Sequence, residues 1–254
     1  MLMRRFARLI ILMTLAVVIA SAVTARDVID RHSSIVRHNA DSRNIYLIFS
    51  ADSMFEGAPL ALDVLAARNI KASFFFTGNF LGRPENKSII DRVVAEGHYV
   101  GSHGDRHLLL ADWDDARTPL VSDDSLVRDA ADGIARLGEW GIAPDRSRWF
   151  LPPYEWIKAH QAEVLTERLG LHVINPTPDV LIYRDYTTPD MPDYYSSDTL
   201  LHQLYEYEAT AGLNGAILIM HLGTQAVRTD KLYFHLDEIV DSLTSRGYTF
   251  SRFE

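Results

Sequence analysis

Residues 44–77 read NIYLIFSADSMFEGAPLALDVLAARNIKASFFFT, and this stretch decides the fold. Residues 44–50 are an apolar, β-branched and aromatic run, the signature of a buried strand. Residues 58–68 (APLALDVLAAR) have helical patterning, and residues 71–77 (KASFFFT) return to strand character. A strand, a helix and a strand in such short succession make a βαβ unit, whose strands run parallel.

The same rhythm extends outward to the C-terminus. Further strands are expected at 98–101, 148–151, 171–175, 216–221 and 248–253. Helices are expected at 86–96, 125–139, 158–169, 199–211 and 231–245. Gly97 and Gly170 mark helix stops, and Pro152-Pro153 ends the strand at 148–151. Seven strands alternating with helices define an α/β domain over 44–254, with a parallel sheet covered by helices. Periodicity alone does not separate a closed barrel from an open, doubly wound sheet. No glycine-rich phosphate loop follows any strand. Two long loops, 108–124 and 177–198, break the rhythm and are rich in Asp, Pro, Tyr and Trp, as functional loops often are.

Residues 26–43 are polar and read as a lead-in to the domain. Residues 1–25 carry Arg4, Arg5 and Arg8, an apolar run over 9–20, and Val23-Thr24-Ala25 before Arg26. This is the pattern of a cleaved signal peptide, with a retained membrane anchor as the alternative, for which the apolar run is short of the ~20 residues a span needs; the expected location is periplasmic or extracellular, with no stable membrane insertion after cleavage. The chain of 254 residues is 47% hydrophobic, enough for one sizeable core, and its formal charge is −9. Without a basic face, a nucleic-acid partner is excluded as a class. The chain has no cysteine, which removes disulfides and thiolate chemistry.

The polar residues that ask for explanation lie just past strand ends: Asp52, then His103 and His107, then Tyr154, Glu155 and Trp156, then Asp179, then His221. In a parallel α/β sheet those ends share one rim, where sites are built. His103 and His107, four residues apart, suit a divalent metal, and Asp52 would complete a three-ligand set with an open position. The spacing alone is weak, because two surface histidines would look the same. His221 could be a hydrogen-bonded strand terminus or a general acid. Tyr154 and Trp156 could be rim packing or a stacking wall for a sugar ring.

These residues together resemble the polysaccharide deacetylase family, the NodB-homology carbohydrate esterases, from about Asn44 to Phe253. Residues 69–79 (NIKASFFFTGN) resemble the family's second conserved stretch. Gly97-His98 with Gly101-Ser102-His103 and His107 resembles its metal motif. Pro153-Tyr154 and Ile217-x-Ile219-x-His221 resemble two later motifs. The resemblance implies a distorted (β/α) barrel of about seven parallel strands. It also implies a zinc-type metal on Asp52, His103 and His107, and hydrolysis of N- or O-linked acetyl groups on a carbohydrate substrate, with His221 as acid.

The departures are specific. The family carries two aspartates after the phenylalanine of its first motif, a base and then a ligand. Ser50 and Ala51 stand there, and Asp52 comes one residue late. The arginine that steadies that base is replaced by Leu151. Glu155 is the first choice for a replacement base, ahead of Asp105 and Glu56. Alternatively Asp52 is itself the base, or deacetylation is lost. Two rival readings remain: a glycan hydrolase using Glu155 and Asp179 as paired carboxylates, and a non-catalytic carbohydrate-binding protein.

Overall fold

The computed structural model describes residues 26–254. The signal segment expected at residues 1–25 lies outside the described residues. All seven expected strands are present in one sheet. They are β3 (Asn44–Ala51), β4 (Ser73–Phe76), β5 (Tyr99–Ser102), β6 (Trp149–Phe150), β7 (His172–Val173), β8 (Ile217–His221) and β9 (Thr249–Ser251). The order is β7-β6-β5-β4-β3-β8, with β9 pairing the first residues of β3, and every pairing is parallel. The sheet is the curled, distorted (β/α) barrel that the family resemblance implies. β6 and β7 are only two residues long. Pro152 and Pro153 have no N–H to continue β6 as a ladder.

The segment before β3 forms β1 (Val28–Ile29) and β2 (Ile35–Arg37), an antiparallel pair. β2 also fills the gap between β7 and β8. Ile35 bridges Ile174 in parallel, and Arg37 bridges Ala216 antiparallel. Thr177 Oγ1 donates to the Val36 carbonyl (2.7 Å) and accepts from the Ile217 N–H (2.9 Å), so one hydroxyl ties β2 to β8.

Strand periodicity separates two apolar layers. Tyr46 and Ile48 of β3 point into the barrel with Phe75, Tyr99, Trp149, Leu151, Ile174, Ile217, Ile219 and Phe253. Ile45, Leu47 and Phe49 point outward to the helices α1 (Ala58–Ala67), α3 (Lys87–Ala95) and α7 (Leu236–Ser245). A third cluster lies between β6, β7 and the helices α4 (Asp123–Glu139) and α5 (Ala159–Leu169). The inward parity of Tyr46 and Ile48 carries on to Ser50, which lines the cavity above the barrel.

Helix boundaries depart from expectation where caps act. α4 starts at Asp123 because the Ser122 hydroxyl accepts from the Ser125 N–H, and Asp123 and Asp124 occupy its positive first turn. α6 (Ser197–Ala211) starts early for the same reason, with Ser196 accepting from Thr199 N–H. The helix expected from 231 begins as a 3-10 turn, Leu232–His235, and becomes α7 only at Leu236. Lys231 is occupied elsewhere: its ammonium donates to Glu56, to both oxygens of Thr224 and to the Gln225 carbonyl. A short helix absent from the sequence reading, α2 (Gly78–Leu81), is capped by the Thr77 hydroxyl. Among the described residues, no helix is long and apolar enough to cross a membrane.

Candidate active site

A cavity of about 840 Å³ opens at the carboxyl ends of the strands. Asp52, His103, His107, Tyr154, Glu155, Trp156, Asp179 and His221 all line it. Topology produces this convergence, since β3, β5, β6, β7 and β8 deliver their exits to one side.

The histidine loop is rigidly built. The Nδ1 of His103 lies 2.8 Å from the Leu151 carbonyl, the backbone of the residue where the family carries arginine. With Nδ1–H donated there, Nε2 keeps its lone pair for the cavity. Burial, then the neighbouring His107, hold His103 well below the usual imidazole range. His107 is also lowered by burial, against the opposing pull of Asp52. The two rings sit with centroids 5.0 Å apart. The buried carboxylate of Asp129, on α4, accepts from the Asp105 N–H (3.1 Å), the Arg106 N–H (3.3 Å) and Arg106 Nε (3.0 Å). Gly133 lets α4 approach, because a Cβ there would lie 2.9 Å from the Gly104 carbonyl carbon. The loop also needs left-handed backbone at Gly104 (φ +80°) and His107 (φ +55°).

Two adjacent, neutral imidazoles, one with its far nitrogen fixed on a carbonyl, suit a divalent cation. The expected third ligand is less engaged. Asp52 Oδ1 accepts from Thr77 Oγ1 (2.9 Å) and Asn79 Nδ2 (3.2 Å). Among the described residues, no three His, Cys, Asp or Glu side chains cluster closely enough to hold one ion. The histidine pair therefore fits a metal, and Asp52 faces it from the same cavity without closing a three-ligand set.

Opposite this pair stands a second polar group. His221 Nδ1 lies 2.5 Å from Asp185 Oδ1, and the His221 N–H donates to Asp185 Oδ2 at 2.9 Å. Burial alone would lower His221, but the charge and hydrogen bond of Asp185, with Glu155 adding, push it up to about 9. Glu155 is pushed up to about 7, chiefly by burial, with Asp185 raising it further and His221 opposing. Tyr154 and Glu155 both hold left-handed backbone (φ +61° and +52°), which turns the glutamate toward the cavity after the two prolines. A carboxyl titrating near 7 beside an imidazolium titrating near 9 is an acid–base pair with separated roles.

Asp185 is absent from the sequence reading. It lies in the loop 177–198, whose composition marks it as functional, but nothing local distinguishes it from the other aspartates there. The two other base candidates fall away. Asp105 is ion-paired with Arg136 at 2.5 Å, and Glu56 with Lys231 at 2.9 Å; neither lines the cavity. The carboxylate coupled to Glu155 is Asp185, and Asp179 sits exposed at the mouth with φ +67°.

With this geometry established, comparison with known proteins decides the family. The polysaccharide deacetylase family model matches residues 37–174, more than half of the chain. The chain belongs to the polysaccharide deacetylase family. It is thus one of the carbohydrate-esterase hydrolases. Among curated relatives, a chitin deacetylase from a Pestalotiopsis species is 26% identical over 92% of this chain and 72% of its own length. The peptidoglycan-N-acetylmuramic acid deacetylase PdaA of Bacillus subtilis is 24% identical, covering 87% of this chain and 74% of the relative. Among solved structures, a family-4 carbohydrate-esterase pseudoenzyme from Bacillus anthracis superposes with a TM-score of 0.66 at 19% identity. That match covers 87% of this chain and 67% of the other.

Proposed function

We propose that this member of the polysaccharide deacetylase family is an exported hydrolase that removes N- or O-linked acetyl groups from a glycan, with a divalent metal of the zinc type on His103 and His107. The observation that carries this reading is the convergence of Glu155 and of His221, bonded to Asp185 through Nδ1 at 2.5 Å, on the same cavity as the His103–His107 pair. Asp52, on the same cavity, would be the third residue to hold that metal. The metal, when bound, supplies a Lewis acid for the acetyl carbonyl and for water. Glu155 takes the proton from the attacking water in the place left vacant by Ser50 and Ala51. His221, held protonated by Asp185, gives a proton to the leaving amine or hydroxyl. Tyr154 and Trp156 offer flat apolar faces to the sugar, and Asp179 a polar contact at the mouth.

A second reading is a glycan-binding protein without turnover. Two features favour it: Ser50 and Ala51 in the usual aspartate places, and the absence of a closed three-ligand cluster among the described residues. One experiment separates the two. Purified protein is assayed for metal content and for acetate release from acetylated chito-oligosaccharides, xylan and peptidoglycan. The deacetylase reading expects one metal per chain, lost in His103→Ala and His107→Ala, and acetate release lost in Glu155→Gln. Glycan binding without acetate from any of the three would leave the second reading standing.

A further inference from the structure

The end of the barrel away from the active-site cavity carries a second, basic cleft of about 510 Å³. Arg43 lies just before β3, Asn214 before β8 and Tyr248 before β9. The cleft therefore sits at the amino ends of the strands, opposite the carboxyl ends where His103 and His221 stand. Three guanidiniums line it, those of Arg26, Arg37 and Arg43. In a chain whose formal charge is −9, such a concentration of one sign needs a reason.

Neighbouring acids do not supply it. Glu208 is the one carboxylate on the cleft, and it is ion-paired with Arg246 at 2.5 Å. Asp41 approaches only Arg26, at 3.7 Å, and both side chains are exposed. Asp27 is taken by His38 Nδ1 at 2.8 Å. Among the described residues, Arg37 and Arg43 are held by neutral groups instead. Arg37 donates to the carbonyls of Asn214 (2.8 Å) and Gly212 (3.1 Å) and to the Tyr207 hydroxyl (2.8 Å). Arg43 donates to the carbonyls of Gly247 (3.0 Å) and Arg246 (2.6 Å), and its guanidinium lies 4.4 Å over the Tyr248 ring. The loop that supplies two of these carbonyls approaches closely: a Cβ on Gly215 would lie 2.6 Å from the His38 carbonyl oxygen. Carbonyls and a ring fix the two guanidiniums while leaving their charge uncompensated and some of their five N–H donors free.

We propose that this cleft binds the phosphate group of an acidic phospholipid, so that the chain docks on a membrane surface by the amino ends of its strands and turns the active-site cavity away from the bilayer. Phosphate oxygens match fixed guanidiniums in both charge and fork geometry. Connectivity favours a lipid as the source of that phosphate. Residues 1–25 lie outside the described residues, but Arg26 follows them directly and lines the cleft. The segment 21–25 reaches at most about 18 Å, so the apolar run 9–20, while in the membrane during export, brings the cleft to the headgroups. The inference is independent of the deacetylase reading, because no residue of the cleft lines the active-site cavity.

The test floats the purified chain with vesicles of phosphatidylcholine alone and of an equal mixture with phosphatidylglycerol. The quantity read is the gain in affinity that phosphatidylglycerol brings. The double variant Arg26→Gln, Arg43→Gln should cut that gain about tenfold or more, and Arg26→Gln alone, at an exposed side chain, about threefold. The double variant Arg128→Gln, Arg168→Gln removes the same charge from exposed positions on α4 and α5, and should leave the gain within about twofold. Thermal melts check that each variant is folded. Added glycerol 3-phosphate should compete with the mixed vesicles. No gain from phosphatidylglycerol in the wild-type chain would overturn the proposal, and so would equal losses in the two double variants. Binding of glycerol 3-phosphate, measured by calorimetry, without binding of either vesicle would overturn membrane docking and leave a site for free phosphate.

Discussion

Glu155 is a carboxyl held where ionisation is unfavourable, and both stability and chemistry register this. Its folded value, about 7, lies above the ordinary 4.5, so the folded chain binds that proton more tightly than the unfolded one. The favourable contribution is complete below pH 4.5 and is lost as pH rises through 7. Glu155→Gln keeps the shape and removes the charge. It should stabilise the protein by about 3 kcal/mol at pH 8 and by less than about 1 kcal/mol at pH 5, read as a pH-dependent difference in Tm, while acetate release falls at least a hundredfold. The wild-type rate should rise as Glu155 ionises near pH 7 and fall as His221 loses its proton near pH 9. These limbs belong to the coupled group rather than to single residues. In Asp185→Asn, burial is no longer offset by the aspartate charge, so the alkaline limb should move toward neutral pH. A pH–rate profile whose alkaline limb does not move would remove His221 from the role of acid.

At the scale of elements, the loop carrying the two histidines is held by a helix far from it in sequence. Asp129 of α4 accepts two consecutive N–H groups of that loop. Asp129→Asn keeps the size but turns one acceptor into a donor facing an N–H. Metal affinity should fall about tenfold or more, as for other groups that orient metal ligands. Stability should fall by about 1–3 kcal/mol. Competition with a chelator and a thermal melt check the two parts separately. An unchanged metal affinity would mean that α4 only packs against the loop. The strand exits that bear His103, Tyr154 and His221 were readable from apolar runs that stop abruptly, because a buried strand must end where polar side chains begin. The helix starts were not, because Ser122 and Ser196 act as caps through hydrogen bonds that apolar periodicity does not register.

For the whole molecule, the gap between β7 and β8 is closed by the segment before the first long strand. Thr177 is the stitch, with its hydroxyl bonded to Val36 and Ile217 at once. Thr177→Val leaves a buried carbonyl and a buried N–H without partners, a cost of about 2–3 kcal/mol. Tm should drop by roughly 5–10 °C, against no more than a degree or two if β2 is only loosely attached.

The amino-acid sequence by itself determined the alternation of strands and helices, and with it a parallel sheet whose exits share one rim. Those properties follow from local apolar pattern and from the handedness of the chain, so they can be read along one dimension. Tertiary structure alone decided the rest. It closed the barrel with β2 and chose Asp185, among the aspartates of its loop, as the partner of His221. It separated Glu155 from Asp105 and Glu56 by leaving only the first on the cavity without an ion pair. Hydrogen bonds and burial between residues distant in sequence set these outcomes, and no local pattern encodes them.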